Sequence, residues 1–558
     1  MRQEEDPPWP TAAPVLTPLL HEAHAHQQAG RLEEAEALFN EILTTLRKPA
    51  SPEEWHIRGE ALHLLGGTFY ARDKFGTAID LIAEAIRINP TIPSYQTDLG
   101  AACFKLGLKD QALKHCKLAV LFDPNFAYGH YNLGHVYDRR GDAKEARAAY
   151  ERALALKPDD PDTLVSVGTT HHAENDLDTA LSYYERAVAL APNDSQAHYN
   201  IGVINHDKGL YRESIAHYER ALALKPDYVM AHWNYGLAQL ALGNFKTGWD
   251  EYEWRWQMHK TDTMQDISIP GRRFARPMWS GQIRTRVHIH MEQGLGDTVQ
   301  FCRYAPMVAA MENDVTLEVQ PALVDLLRFS FPTVKVIPVT PDWPGAYGLG
   351  DFDYHIPVMS LPRAFGTDEG TIPWRTPYLK ADPERVARVR PSIEKHAGGR
   401  LKVGICWSSG IREGASLNIK RVGMRKSTTL ETFAPLANPK RVALFSLQVG
   451  PPAAELVDSQ FKVIDLMGDV KDFADTAAIM ECLDLVITVD TAVGHVAGAI
   501  GRPVWILELA DGCWRWLMGR EDTPWYPTMR LFRQQRVNDW GHVVERVAVE
   551  LTHLTQTS

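Results

Sequence analysis

The sequence predicts an α-solenoid followed by an α/β region with two Rossmann-like lobes, and three observations carry that prediction. A proline recurs every 34 residues, at Pro90, Pro124, Pro158, Pro192 and Pro226, and a glycine keeps the same beat at Gly66, Gly100, Gly134, Gly168, Gly202 and Gly236. A period of that length, with small residues inside two helices and a proline closing the unit, marks helix pairs that stack into a solenoid. From Arg284 onward short apolar runs alternate with helical stretches, which implies parallel sheets of the doubly wound kind. At 558 residues the chain exceeds a single compact core, so at least two structural units are expected.

The 34-residue register is that of tetratricopeptide repeats. Residues 127–160 fill its slots with Leu133, Gly134, Tyr137, Ala146, Tyr150, Ala153 and Pro158. Gly134 and Ala146 are small because two antiparallel helices must approach closely there, while apolar residues at helical spacing bury against the next repeat. Counting outward gives about seven helix pairs from Leu16 to about Met258, a solenoid domain over residues 15–260. The first pair is less regular: Ala35 and Ala78 are 43 residues apart, which places roughly nine extra residues near Pro49 to Trp55. An ordinary helical bundle would not hold register over five units.

The concave face of such a solenoid is lined by the first helix of each pair. Asn132, Asn200 and Asn234 recur there just before the glycine slot, with Asp98 and Ser166 at the equivalent places. Carboxamides at a fixed repeat can donate to and accept from the backbone of an extended ligand without reading its side chains. The same residues also suit bracing between neighbouring helices, so acceptor binding and bracing both stand as readings.

A net charge of -11 argues against a nucleic-acid grip, which needs a basic face. Cys103, Cys116, Cys302, Cys406, Cys482 and Cys513 lie far apart with no CxxC pair, so neither a disulfide framework nor a zinc site is expected. The opening MRQEEDPPWP is acidic and proline-rich, and no run approaches about 18 consecutive apolar residues. The expectation is a soluble, cytoplasmic protein without membrane insertion.

Register ends after Tyr252, and the run Tyr252-Glu253-Trp254-Arg255-Trp256 is expected to seal the last repeat onto the next domain. Residues 265–280, with Pro270, Gly271 and Pro277, read as a connector. Strands are expected over 286–291, 315–319 and 334–339, with a glycine-rich turn at 293–297 and a helix over 298–311. A second set of strands is expected over 401–407, 443–447, 462–466, 485–489 and 504–507. The two sets divide near Ala381 to Arg400, a hinge between lobes spanning 281–385 and 398–555. Ligands in such folds bind at the carboxyl ends of the strands.

Three loops at those ends carry the candidate chemistry. Gly294-Leu295-Gly296-Asp297 precedes a helix; the glycines let the backbone approach a ligand, and Asp297 is placed to take a proton from an acceptor hydroxyl. Asp297 with Gln300 also fits a capping box, and both readings stay open. Without a third glycine the loop is not a dinucleotide fingerprint. Asp490-Thr491-Ala492-Val493-Gly494-His495 links a buried strand to a helix, where backbone amides, a Thr hydroxyl and a His suit a nucleotide diphosphate; the alternative is a Thr N-cap and a core histidine. Ser408-Ser409-Gly410 leads to Lys420, Arg421, Arg425, Lys426 and Ser427, cations that can balance a leaving phosphate at a strand end unless they form a solvated face.

At these loops the chain resembles bacterial glycosyltransferases of the GT-B fold, particularly the family 9 heptosyltransferase-like group, fused to tetratricopeptide repeats. The matching pieces are GLGDTVQFCRYAP at 294–306, GICWSSG at 404–410, the basic stretch ending in KSTTLETFAPL, DFADTAA at 472–478, DLVITVDTAVGHVAGAIGRPVW at 484–505 and GREDTPWYPTMRLFRQ at 519–534. The resemblance implies inverting, metal-independent sugar transfer from a nucleotide-sugar co-substrate, with no further cofactor. It implies Asp297 as catalytic base, Lys426 as phosphate-binding cation, and a donor-binding set of Gly294, Gly296, Ser408, Gly410, Lys426, Ser427, Gln448, Asp490, Thr491 and His495.

Ala492 stands where that group commonly has glycine, and 507–513 lacks its proline- and aspartate-bearing form. Asp351-Phe352-Asp353 looks like a metal-binding DxD but sits before an apolar strand and is read as a structural edge. Trp514, Trp516, Trp525 and Tyr526 suit stacking on a sugar or packing between lobes. The layout resembles protein O-GlcNAc transferases and bacterial flagellin glycosyltransferases, which implies a protein acceptor such as flagellin, with Asn132, Asn200 and Asn234 on its path. The alternatives are a repeat scaffold with a degenerate GT-B domain and a transferase acting on a lipid-linked glycan.

Overall fold

The computed structural model describes residues 12–260, 273–274, 276–339, 346–347, 352–373, 377–410, 423–438 and 440–557. Asp351, Lys420 and Arg421, and Pro270 and Gly271 of the connector, lie outside the described residues. The chain divides into two compact units, residues 1–197 and 198–558.

The first unit is built of helix pairs. Pro52–Tyr70 packs on Phe75–Ile88, Pro93–Lys105 on Lys109–Phe122, Ala127–Arg140 on Ala143–Leu156, and Pro161–Ala173 on Leu177–Leu190. The recurring glycine is the point of closest approach in each pair. A Cβ added to Gly66 would stand 2.6 Å from Ile82, to Gly100 2.8 Å from Cys116, to Gly134 2.6 Å from Tyr150, and to Gly168 2.7 Å from Tyr184. The recurring prolines sit in the turns between pairs, where no helical N–H is required. A second device keeps the same period: the turn inside each pair is left-handed at Asp73, Gly107, Gly141 and Asn175, with φ of 58°, 78°, 86° and 64°. Asn and Asp serve there because their short polar side chains tolerate that region.

The irregular spacing near residue 50 has a local cause. The Ser51 hydroxyl accepts from the Glu54 N–H at 3.1 Å, and the Glu54 carboxylate accepts from the Ala50 N–H at 2.6 Å. This box starts a helix of 19 residues, longer than its partners, which absorbs part of the extra chain.

The second unit opens with the helices ending at Asp207 and Leu224, then Val229–Ala241 and Phe245–Tyr252, with the same glycine contact: a Cβ on Gly202 would lie 2.5 Å from Tyr218. Parallel strands follow. β1 (Arg273–Phe274) pairs with β5 (Ala346–Tyr347). β2 (Arg286–His290), β3 (Asp314–Val319), β4 (Lys335–Pro338) and β6 (Tyr354–Pro357) form a parallel sheet in the order β4-β3-β2-β6. β7 (Leu401–Cys406), β8 (Val442–Ser446), β9 (Val463–Asp465), β10 (Leu485–Val489), β11 (Val504–Glu508) and β12 (Met529–Arg533) form a parallel sheet in the order β12-β11-β10-β7-β8-β9. Counted from its own first strand the second sheet runs 3-2-1-4-5-6, the doubly wound order, and the first sheet is its 3-2-1-4 portion. The expected α-solenoid followed by an α/β region with two Rossmann-like sheets is what the chain forms.

One local expectation needs correction. The helix expected over 298–311 begins at Leu295 and is broken into Leu295–Phe301, a tight turn at Cys302–Tyr304, and Ala305–Ala310. Pro306 lacks the N–H that a continuous helix would donate to Cys302 and crowds that carbonyl. Gly296 and Asp297 therefore lie in the first helical turn, not in a loop. The segment expected to divide the lobes, 381–400, contains the helix Pro383–Ala397, capped by Asp382 and ended by Gly398 at φ 58°. β12 and the helix Trp540–Thr557, which buries Val543, Val544, Val547 and Leu551 beneath the second sheet, went unassigned in the sequence.

Asp353 behaves as a structural edge. It receives the Arg286 guanidinium at 2.9 Å and the Arg286 N–H at 3.0 Å, and these hydrogen bonds hold its pKa down to about 2. No described helix is long and apolar enough to cross a membrane.

Candidate active site

Both sheets have a switch point where consecutive connections leave in opposite directions: between β2 and β6 in the first, between β7 and β10 in the second. The segments leaving β2, β7 and β10 at their carboxyl ends are Met291 to Asp297, Trp407 to Gly410, and Asp490 to His495. These are the three segments that the sequence singled out, and the structure brings the first and third into contact. A Cβ on Gly296 would lie 2.7 Å from the His495 ring, so only glycine lets the helix Leu295–Phe301 cross the helix Ala492–Ala499 at this point.

Asp297 is anchored at both oxygens. Its Oδ2 accepts from the Gly294 N–H at 2.8 Å, and its Oδ1 accepts from Nη2 of Arg515. The expected box of Asp297 with Gln300 does not form: Gly294 is the N-cap, Asp297 bonds back to it from the first turn, and the Gln300 carboxamide finds no partner among the described residues. Arg515 was missed by the sequence reading. It lies between Trp514 and Trp516, its guanidinium 4.3 Å from the Trp514 ring centroid, with a side chain only 11% exposed.

Asp490 continues β10 and pairs with Lys426 Nζ at 2.5 Å. Burial opposes both charges, but each partner's field prevails: the Lys426 pKa is raised and that of Asp490 lowered. Thr491 caps the next helix, its hydroxyl accepting from the Val493 N–H at 3.2 Å and meeting Thr488 Oγ1 at 3.1 Å. His495 is buried, its ring stacked on Trp516 at 4.9 Å and its Nδ1 3.0 Å from the Tyr526 hydroxyl. Burial lowers its pKa to about 4, so the ring is neutral at pH 7. Trp516, Trp525 and Tyr526 are fully buried and pack the interior instead of presenting a face to a sugar.

Ser408, Ser427 and Gln448 form the frame of the β7 loop. Gln448 Oε1 accepts from the N–H groups of Trp407 and Ser408 at 3.2 and 2.9 Å, and its Nε2 donates to the Ser408 carbonyl at 3.2 Å. The Ser427 hydroxyl accepts from the Ser409 N–H at 3.0 Å and donates to the Gly423 carbonyl at 2.7 Å. Gln448 and Ser427 thus shape the loop, while Gly410 is open to solvent at its end. Arg425 pairs with Asp511 at 2.8 Å.

Glu508 was also missed. Alternation along β11 puts it on the face of Ile506, the residue against Gly494, and register puts it beside Asp490 and Arg533. It is 1% exposed, and neither carboxylate oxygen finds a hydrogen-bond partner among the described residues. Burial first, and the Asp490 charge second, raise its pKa to about 8.

The aromatic run after the repeats does seal onto this region. Arg255 holds Glu292, just beyond β2, through Nε at 3.1 Å and Nη2 at 2.8 Å, and donates to Ser360 at 2.7 Å. Asn234 braces neighbouring helices, its Nδ2 donating to the Tyr199 hydroxyl at 3.0 Å, whereas Asn132 Nδ2 donates at 3.0 Å to the Tyr128 carbonyl of its own helix. Asn200 holds the same slot on the helix Ser195–Asp207.

The family model described as glycosyltransferase family 9 (heptosyltransferase) matches residues 452–507, the stretch carrying Asp490, Thr491 and His495. Tetratricopeptide-repeat models match residues 16–41, 125–193, 168–228 and 207–247. The chain thus carries segments similar to tetratricopeptide repeats followed by a segment similar to glycosyltransferase family 9. Among curated relatives, Protein FlbA of Caulobacter vibrioides is 31% identical over 341 residues, 56% of this chain and 53% of that protein. Human protein O-mannosyl-transferase TMTC1 is 30% identical over 134 residues, 23% of this chain and 14% of that protein. The chain thus spans about half of the first relative and less of the second. Among solved structures, a thermophilic TPR protein of Thermus thermophilus aligns with 23% identity and a TM-score of 0.29, covering 33% of this chain and 99% of that one.

Proposed function

We propose that this protein is a glycosyltransferase of GT-B type that moves a sugar from a nucleotide-sugar donor onto a hydroxyl of a protein acceptor, with inversion and without a metal. The observation that carries the reading is the meeting of two switch points: Asp297 at the end of β2 stands against the helix that follows Asp490 and Thr491 at the end of β10, through the Gly296 and His495 contact. The family 9 match over 452–507 supports the donor side, and the repeat matches support a polypeptide acceptor. TMTC1 carries protein O-mannosyl-transferase in its name, and the same pairing of repeats with transfer to protein is what we propose for this chain. Flagellin is the acceptor to test first, given the layout.

In the proposed step the acceptor oxygen attacks the anomeric carbon while the bond from that carbon to the donor phosphate oxygen breaks. The electron pair leaves on the nucleoside diphosphate, and the hydroxyl proton passes to Asp297. A placed carboxylate base contributes about 10²- to 10⁴-fold. Lys426 and the amides at the start of Ala492–Ala499 face the leaving charge, the kind of fixed electrostatic support that dominates many transfers. Asp297 also caps its helix, and this favours the scaffold reading enough to require one experiment for both.

That experiment incubates native protein and Asp297→Asn with a panel of nucleotide sugars and source-cell lysate. Transfer to a protein band, reduced at least about 100-fold by Asp297→Asn with nucleotide binding retained, is expected. Nucleotide binding with no turnover of any donor by the native protein would establish the scaffold instead.

A further inference from the structure

Arg515 is held in an unusual state for a buried guanidinium. It has five N–H donors, and burying donors without acceptors is costly. Among the described residues Nη2 reaches Asp297, Nη1 faces only the Cys513 sulfur at 3.3 Å, and the buried Nε finds no partner. Most of its hydrogen-bonding capacity is therefore unspent beside the one carboxylate placed as base.

Its surroundings fix where the unspent donors sit. His495, neutral and stacked on Trp516, feels the charges of Asp490, Arg515, Asp297 and Lys426 together. The two cations each hold one carboxylate, and both pairs act on this one ring. Trp514, packed on Tyr252 and Trp249, keeps the guanidinium from swinging away.

We infer that Arg515 is a catalytic residue that bridges base and leaving group, holding the Asp297 carboxylate through Nη2 while offering Nη1, at the same end of the guanidinium, to a phosphate oxygen of the donor. This rests on the donor-site reading above and adds a residue to it. The bridge ties the proton acceptor to the bond that breaks: filling the diphosphate site gives Nη1 an oxygen in place of the weak Cys513 sulfur acceptor and fixes the carboxylate relative to the leaving oxygen. A planar fork can serve two anions at once; a lysine ammonium at the same place would serve one.

The test compares native protein, Arg515→Met and Arg515→Lys by calorimetric titration with the diphosphates of uridine, guanosine, adenosine, cytidine and thymidine, and with the matching nucleosides. Thermal melts confirm that each variant is folded, and Arg515→Lys keeps the charge if Arg515→Met does not fold. We expect the preferred diphosphate to bind about 10- to 100-fold more weakly to Arg515→Met, and less severely so to Arg515→Lys, with nucleoside affinity unchanged. The loss should persist on an Asp297→Asn background, where a residue that merely positions Asp297 would have no effect. Native-like diphosphate binding by both folded variants overturns the inference alone. Native protein that binds no diphosphate overturns the donor-site reading and the inference with it.

Discussion

Replacing Lys426 by Met tests the electrostatics of the site most directly. Lys426 Nζ lies 2.5 Å from Asp490, whose side chain is 7% exposed. Coulomb's law at that separation and an effective dielectric near 20 gives roughly 6–7 kcal/mol of gross attraction. Desolvating the two ions costs several kcal/mol each, so the intact pair adds little net stability. Deleting one partner is different, because the other charge stays buried and unpaired, at a cost of about 3–5 kcal/mol. Lys426→Met should therefore destabilise the second unit strongly, and adding Asp490→Asn should recover most of the loss. The pH dependence has a defined sign. In the native protein the Asp490 pKa is depressed, so its contribution is present above the ordinary carboxylate range and is lost as pH falls through the folded value. Without Lys426, burial, the largest influence on this group, outweighs the smaller pull of Arg515 and raises that pKa, so stability is lost as pH rises. Glu508 loses the same cation and moves the same way, whereas His495, with a pKa of about 4, stays neutral throughout. Urea unfolding at pH 5 and pH 8 should show a larger penalty at pH 8. A penalty below about 1 kcal/mol, or one equal at both pH values, or a double variant no more stable than Lys426→Met, would refute the reasoning.

Two further expectations concern positions outside that pair. Gly202→Ala sets a Cβ 2.5 Å from the Tyr218 ring and should cost about 1–3 kcal/mol, whereas Gly76→Ala, on a helix with open space around it, should be neutral or stabilising; equal melting temperatures for the two variants would contradict the close-approach argument. Glu508 has a raised folded pKa, so the native protein loses stability as pH climbs from the ordinary carboxyl range toward about 8. Glu508→Gln removes that loss, and its advantage in melting temperature should grow between pH 5 and pH 8; an advantage independent of pH would mean that Glu508 is ionised throughout.

How much of this was legible in the sequence depends on how local the determining interaction is. The helix pairs were legible because one close approach, glycine against the next helix, repeats at fixed spacing and leaves the same letter at each turn of the pattern. The left-handed turn at Asp73, Gly107, Gly141 and Asn175 has the same period but was overlooked, because three residue types satisfy one backbone requirement. The break at Pro306 was readable from the ring alone and outweighs the apolar spacing that favoured one long helix. β12 escaped because Pro527, Thr528 and the charged Arg530 and Arg533 interrupt its apolar run, and only pairing with β11 makes it a strand.

The candidate site divides the same way. Asp297, Asp490, Thr491 and His495 each sit at a strand-to-helix turn, where backbone geometry marks them out in one dimension. Arg515 and Glu508 have no such mark. Arg515 matters through a carboxylate 218 positions away, and in sequence it is one cation within a tryptophan-rich turn. Glu508 reads as the polar end of an apolar strand, where a carboxylate ordinarily meets water. What changes its meaning is the sheet: register carries β11 one step past β10, alternation turns Glu508 to the face that packs on Ala492–Ala499, and Asp490 then occupies the neighbouring position on the same face. Two carboxyls side by side in a buried place cannot both ionise cheaply, even with Arg533 and Lys426 near, so the fold itself, and no local motif, makes Glu508 the group that holds its proton at pH 7.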